Sequence, residues 1–198
     1  MIDLSNISDE IPYIRFKELY EIALNKNQKS IEAMNICSYS AVSRQVNSRF
    51  VNLKFINDKD FIFFSNYEST KASEFSSHDQ IAATIYWNSS NTQIRMKAHI
   101  KKTTREFNKK YFAKRSVEKN ALAISSSQSK PIDSYDEVKL KYLSSLECNN
   151  LKECPEHWGG YSFTPFEMEF WEGNEFRLNK RNFFKKDKST WNHLILEP

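Results

Sequence analysis

NICSYSAVSRQVNSRFVNLKFINDKDFIFFS, residues 35–65, is where the chain declares its architecture. Asn35 to Ser43 and Ser48 to Ile56 each read as a strand, with a polar turn between them. Asn57-Asp58-Lys59-Asp60 is a second turn, and Phe61 to Ser65 a third strand. Short strands joined by tight polar turns pair as antiparallel neighbours, so this stretch predicts an antiparallel sheet.

The rest of the chain extends the same pattern. Upstream, Phe16, Leu19, Tyr20, Ala23 and Leu24 recur at helical spacing and predict an amphipathic helix over Ile14 to Asn27. Residues 1–30 are therefore an N-terminal helical segment before a domain spanning 31–198. Downstream, Ser69 opens a short helix bearing Lys71, Ala72 and Phe75. Gln80 to Trp87 and Gln93 to Thr103 read as strands around a hairpin turn at Asn88-Ser89-Ser90-Asn91. A helix from Thr104 to about Arg115 carries Phe107, Tyr111 and Phe112 on one side. Ala121 to Gln128 is small and serine-rich, and Pro131 to Cys148 reads as a third long helix. Trp158 to Phe163, Phe166 to Trp171, Phe176 to Asn179 and Trp191 to Leu196 read as closing strands. The predicted class is mainly β with α: an antiparallel sheet curled into a barrel, with helices packed outside.

Composition narrows the chemistry. The three glycines, Gly159, Gly160 and Gly173, cannot form a glycine-rich phosphate loop, so side chains or helix N-termini must hold any phosphate. Cys37, Cys148 and Cys154 form no CxxC pair, and the four histidines share no ligand-like spacing. These features predict a reduced intracellular chain with no metal site. A net charge of +4 suits an anionic small ligand, and no nucleic-acid recognition motif accompanies it. The N-terminus shows neither a basic start nor an apolar run, and no stretch approaches a membrane span, so the expected compartment is the cytoplasm.

Four segments carry candidate chemistry. In Arg49-Phe50-Val51-Asn52-Leu53-Lys54, strand alternation puts Arg49, Val51 and Leu53 on one face and Asn52 and Lys54 on the other. Two cations on opposite faces could address two anions, or simply be solvated. Lys71 sits in the first turn of a helix, where a cation opposes the helix dipole unless a phosphate binds there; a solvated lysine is the alternative. Gln128-Ser129 follows the serine-rich stretch and says nothing alone. In Glu169 to Arg181, a strand, a turn at Gly173-Asn174 and a second strand would place Arg177, Asn179 and Arg181 on one face, near Trp171.

Taken in order, these segments resemble pyridoxamine 5′-phosphate oxidases. The resemblance rests on Arg-x-Val-x-Leu-Lys, the Ser-x-Lys-Ala helix start, Gln93 on its strand and Tyr111 with Arg115. It continues through Gln128-Ser129, Trp158-Gly159-Gly160 and Glu-Phe-Trp…Arg-Leu-x-x-Arg. It covers about Ile31 to Pro198. It implies an FMN-binding split β-barrel and a homodimer with FMN in a cleft between subunits. Arg49, Phe50, Val51, Asn52, Leu53 and Lys54 would line the flavin, with Arg49 near its phosphate, and Phe64, Ser65 and Lys71 would continue that phosphate site. Gln93 would face the flavin, while Gln128, Ser129, Trp171 and Arg181 would complete the pocket from the other subunit. The implied substrate is a small phosphorylated pyridine. Lys54, Tyr111 and Arg115 would bind its phosphate, and Arg177 would lie over its ring.

Four positions depart from the family pattern. Lys119 stands where a serine usually meets the substrate phosphate, and Asn179 where a histidine usually meets the substrate. Thr70 replaces an arginine near the flavin phosphate, and the C-terminal Arg-Leu-x-Pro reads Ile195-Leu196-Glu197-Pro198. Lys119 and Asn179 stay on the expected substrate list, with Arg177 and Asn179 as the catalytic candidates. The expected activity is oxidation of pyridoxamine or pyridoxine 5′-phosphate to pyridoxal 5′-phosphate with dioxygen. The alternatives are a family member with another substrate, such as a phenazine-biosynthetic oxidase, a flavin binder without turnover, and a barrel without flavin.

Overall fold

The computed structural model describes residues 1–148 and 150–198. Nine strands form one sheet: β1 (Asp3–Ile7), β2 (Ala33–Ser40), β3 (Gln45–Asp58), β4 (Asp60–Asn66), β5 (Gln80–Trp87), β6 (Thr92–Lys102), β7 (Trp158–Glu172), β8 (Lys180–Asp187) and β9 (Thr190–Ile195). Five helices accompany them: α1 (Ile11–Asn25), α2 (Thr70–Ser77), α3 (Arg105–Lys114), α4 (Val117–Ser125) and α5 (Tyr135–Cys148). The pairings run β3-β2-β5-β6-β7, and β4 joins β7 back to β3, which closes a six-stranded ring. All pairs are antiparallel except the edge strand β1, which lies parallel to β3.

The long strand β7 splits the barrel. Its first half, Trp158 to Phe163, pairs with β4, and its second half, Glu167 to Glu172, pairs with β8. Trp158 to Phe163 and Phe166 to Trp171, expected as two strands, are thus one. A bulge at Phe166, where Lys97 faces Glu167 and Ala98 faces Pro165, absorbs the proline without ending the strand.

The core follows the two periodicities visible in the sequence. Ile81, Ala83, Ile85 and Trp87 on β5 and Ile94, Met96, Ala98 and Ile100 on β6 are buried at alternate positions. On α1, Tyr13, Phe16, Leu19, Tyr20 and Ala23 are buried at helical spacing. The Phe16 ring meets Phe61 at 5.3 Å and Trp87 at 5.6 Å, both edge-on, so α1 is packed onto the barrel. Removing such a ring costs about 3–5 kcal/mol.

Two expectations fail locally, and one stretch left without an element proves helical. Phe176 to Asn179 is not a strand: Glu175–Arg177 forms a 3-10 turn, with Phe176 at φ 54° and Arg177 at φ 62°. The Asn174 side chain accepts from the Glu175 N–H at 2.8 Å, and Asn179 Oδ1 accepts from the Asn174 N–H at 3.2 Å. These local bonds outcompete a ladder, and the strand begins only at Lys180. The serine-rich stretch is largely helical, as α4. Finally, α5 starts at Tyr135 rather than Pro131, where Ser134 Oγ accepts from the Glu137 N–H at 3.2 Å. Among the described residues, no helix is long and apolar enough to cross a membrane.

Candidate functional site

A cavity of about 640 Å³ opens between the outer face of β3, the end of β4, and helices α2, α3 and α4. Strand alternation explains the β3 contribution. Leu53 is fully buried on the barrel side, so Asn52 and Lys54 face outward into the cavity with Phe50, and Val51 reaches its edge. Lys54 also lies 3.6 Å from Glu32. The end of β4 adds Phe64, Ser65 and Asn66.

Asn66 then organises the turn into α2. Its Oδ1 accepts from the Glu68 N–H at 2.7 Å, and its Nδ2 donates to the Ser126 carbonyl, at the end of α4, at 3.2 Å. This tie brings Gln128 beside the first turn of α2. The Lys71 ammonium donates to Ser65 Oγ and Ser69 Oγ, each at 3.1 Å, and to Gln128 Oε1 at 3.0 Å. These acceptors are all neutral, and Lys71 is only 8% exposed. Burial pushes its pKa down to about 8; the charge of Arg49 adds to the fall and that of Glu74 opposes it.

The far wall comes from the α3–α4 joint. Tyr111 stacks on Phe64 at 4.1 Å, and Phe64 stacks on Trp158 at 5.0 Å. Arg115 caps α3 and lays its guanidinium over Trp158, 4.5 Å from the ring centroid. Its Nη2 reaches the Lys119 carbonyl at 3.4 Å, while its buried Nη1 has no hydrogen-bond partner among the described residues. Burial lowers the Arg115 pKa, and burial raises that of Tyr111, which keeps its hydroxyl proton for donation. Lys114 and Lys119 complete a lining of five cations (Lys54, Lys71, Lys114, Arg115, Lys119) with no carboxylate among the described residues. Such a lining is built for an anion.

The sequence-predicted residues divide into two groups. Phe50, Val51, Asn52, Lys54, Phe64, Ser65, Lys71, Tyr111, Arg115, Lys119 and Gln128 converge on this cavity. Gln128 does so within one chain, so its expected place on the other subunit is corrected; Ser129, at φ 70°, lies beyond the lining. Arg49 does not line the cavity either: its Nη2 is ion-paired to Glu74 at 2.8 Å. Leu53 belongs to the core.

The second group lies on the β6-β7-β8 face. Gln93, Trp171 and Arg181 are register partners in one row. Glu169 accepts from Arg95 and, at 2.8 Å, from Arg181 Nε. Burial opposes ionisation of Glu169, but the two arginines together hold its carboxyl below the usual range. Asn179 and Arg181 line a second hollow of about 440 Å³ with Leu196 and Pro198. Arg177 sits in the exposed 3-10 turn, so the expected shared strand face of Arg177, Asn179 and Arg181 does not exist.

Lys114, Ser116, Leu122, Ala123 and Ser126 also line the cavity, and sequence reasoning missed them. The available signal was Ser116 as a helix N-cap with Glu118 in the first turn, ahead of Ala121 and Leu122.

A family model described as pyridoxamine 5′-phosphate oxidase matches residues 23–144, and one described as the pyridoxine 5′-phosphate oxidase C-terminal dimerisation region matches residues 158–198. Pyridoxine/pyridoxamine 5′-phosphate oxidase 1 of Hydrogenovibrio crunogenus is 35% identical over 192 residues, covering 94% of this chain and 88% of that protein. The Rhodopirellula baltica pyridoxine/pyridoxamine 5′-phosphate oxidase is 32% identical over 195 residues, covering 94% and 85%. In fold, the chain is similar to PhzG from Burkholderia lata 383, solved with tetrahydrophenazine-1-carboxylic acid, at a TM-score of 0.89 and 23% identity over 94% of this chain and 92% of that one. A pyridoxamine 5′-phosphate oxidase-related, FMN-binding protein of Nostoc punctiforme superposes at 0.77, with 12% identity over 92% and 97%. Both family models, and relatives 32–35% identical over 94% of the chain, place it in the pyridoxamine 5′-phosphate oxidase family, on whose split, six-stranded ring the cation-lined cavity lies.

Proposed function

We propose that the chain is an FMN-dependent oxidase that converts pyridoxamine or pyridoxine 5′-phosphate to pyridoxal 5′-phosphate, with dioxygen as the final acceptor, as a homodimer. The observation that carries this reading is the cavity's lining of five cations and, among the described residues, no carboxylate, with Lys71 buried among neutral acceptors and one Arg115 N–H without a partner there. These residues fit FMN and a phosphorylated substrate. Lys71, Ser65 and Gln128, with Asn52 and Phe50 beside them, would hold the flavin and its phosphate.

Tyr111, Arg115, Lys119 and Lys54 would hold the substrate's phosphate, where a dianion takes charge-assisted bonds from several donors at once. Bound FMN supplies two-electron acceptor chemistry and reoxidation by dioxygen. The chain's own part is to bind, orient and exclude water. Gln93, Trp171 and Arg181, with Arg177 and Asn179, would complete the site of a second copy. Overall, the amine loses two electrons and is hydrolysed to the aldehyde with release of ammonia, the alcohol gives the aldehyde directly, and dioxygen leaves as hydrogen peroxide.

The test is direct. The purified protein should be yellow, or become so with FMN, and should form pyridoxal 5′-phosphate aerobically, read at the aldehyde absorbance. Arg115→Ala should raise KM for the phosphorylated substrate about tenfold or more while flavin stays bound. A preparation that takes up no FMN refutes the cofactor. One that takes up FMN but reduces it only with a phenazine precursor refutes the substrate.

A further inference from the structure

Asn120 does not line the cavity, yet it holds the joint that carries Arg115. It lies near the start of α4 and is fully buried. Its Nδ2 donates to the Phe112 carbonyl at 2.9 Å and to the Leu151 carbonyl at 2.7 Å. Its backbone N–H donates to the Ser116 carbonyl at 3.1 Å. One side-chain amide thus ties the end of α3, the start of α4 and the segment that leads into β7. Its Oδ1 is buried with no partner among the described residues, so what the amide contributes comes from its two donated bonds.

Each tie bears on Arg115. Between α3 and α4 the backbone leaves the helical region at two successive residues, Arg115 at φ −73° and ψ 158° and Ser116 at φ −64° and ψ 146°. Neither helix therefore continues its ladder through the joint, and bonds that cross the break must set its angle. The Phe112 carbonyl that Asn120 engages also accepts from the Arg115 backbone N–H at 3.1 Å. The carbonyl of Lys119, the neighbour of Asn120, accepts from Arg115 Nη2 at 3.4 Å. Leu151 begins the path to Trp158, whose ring lies under the Arg115 guanidinium, and the Trp158 N–H donates to the Pro155 carbonyl at 3.2 Å. The backbone of Arg115, its guanidinium and its aromatic platform are all within reach of one side chain.

We propose that Asn120 is a positioning residue for the substrate's phosphate: by bridging the α3–α4 joint to the segment before Trp158, it holds the Arg115 guanidinium in the one orientation that leaves its Nη1 for the ligand. This rests on the reading that Arg115 meets the substrate phosphate. Without the bridge, the Phe112 and Leu151 carbonyls each lose a donor, the extended residues 115 and 116 are free to turn, and the phosphate must order a mobile guanidinium at its own expense. The bonds of Lys71 with Ser65, Ser69 and Gln128 involve none of these groups, so FMN binding should not change.

The experiment is calorimetric binding of two probes to the protein in excess FMN. One is 4-deoxypyridoxine 5′-phosphate, whose C4 methyl offers no group to oxidise, and the other is 4-deoxypyridoxine, its phosphate-free counterpart. The preference for the first over the second measures what the phosphate contributes. In Asn120→Ala the phosphorylated probe should bind at least about fivefold more weakly, and the phosphate-free probe within about twofold of wild type. Arg115→Ala should lower the preference further, and adding Asn120→Ala to it should lower it no more, because the amide acts through the guanidinium. Melting temperatures taken alongside separate this from a merely structural role, which lowers Tm but leaves the preference alone. A wild-type preference in Asn120→Ala, or a further loss in the double variant, overturns the inference. If Asn120→Ala does not fold, Asn120→Ser decides on the same measure, since its single hydroxyl proton cannot serve both carbonyls. A preference lowered by Arg115→Ala but not by the Asn120 variants overturns the inference and spares the reading of Arg115. An unchanged preference in Arg115→Ala, or a wild-type protein that binds neither probe, overturns both.

Discussion

Lys71 carries a burial cost that Glu74 relieves only in part. Its pKa in the folded chain is about 8, against 10.5 for an ordinary lysine. Between those values the unfolded chain binds the proton and the folded chain does not, so this group makes stability rise with pH; below about pH 8 its full penalty is present. Lys71→Met should therefore stabilise the ligand-free protein at pH 7 by about 1–2 kcal/mol, a gain that fades in melts near pH 10. The same variant should lose FMN affinity about tenfold or more. A lower ligand-free Tm at pH 7 would show that Lys71 is a structural residue instead. The sequence marks Lys71 as a cation badly placed for its helix, and that much was legible. It does not mark Glu74, whose partners Ser38, Asn47 and Arg49 arrive from strands 25–36 positions away.

At the scale of elements, α3 delivers Tyr111 and Arg115, and one amide docks it. Asn108 is 1% exposed. Its Oδ1 accepts from Thr103 Oγ1 at 2.6 Å and the Gly160 N–H at 2.8 Å, and its Nδ2 donates to the Tyr67 hydroxyl at 3.0 Å. Gly159 makes the close approach possible, because a methyl there would sit on the Tyr67 hydroxyl and the Asn108 amide. Asn108→Ala leaves the Gly160 N–H unpaired and should cost about 1–3 kcal/mol, lowering Tm. It should also raise KM for the phosphorylated substrate more than it lowers kcat, because it loosens Tyr111 and Arg115 rather than the reacting atoms. Equal falls in kcat and kcat/KM would refute that division. Most elements could be read from their period, but α4 was not: it straddles the start of the small, serine-rich stretch, and its helical state is supported by packing against α5 and the Phe112–Trp158 cluster.

For the whole molecule, the proposed function asks for a shared site, because one chain holds the expected residues in two separate groups. The cation cavity and the Gln93–Trp171–Arg181 row share no lining residue. Large apolar side chains are left open in the cavity and in the turn before β8, with Phe50 74% exposed and Phe176 91% exposed. Two left-handed residues in succession, Phe176 and Arg177, cost about 1–2 kcal/mol each, strain that a functional partner surface would justify. Sedimentation equilibrium should accordingly give twice the 23.4 kDa chain mass. Val46→Asp, on exposed β3 outside the cavity lining, should shift the chain toward monomer and weaken FMN retention in parallel. A monomer holding FMN at full affinity would show that the second row is not part of the site.

By itself, the sequence determined what is periodic and local: the alternating strands, the amphipathic α1, the absence of a glycine loop, and a set of cations placed on strands and at a helix start. The tertiary structure alone decided which of those cations meet. Ring closure through β4, the bulge at Phe166, the Asn66–Ser126 tie that draws Gln128 to Lys71 and the Asn174–Asn179 bonds that cancel a strand all join residues whose partners are chosen by packing and hydrogen-bond satisfaction. Local propensity cannot specify such pairings, because each partner's preference is satisfied equally well by many chains of contacts and only the closed barrel selects one.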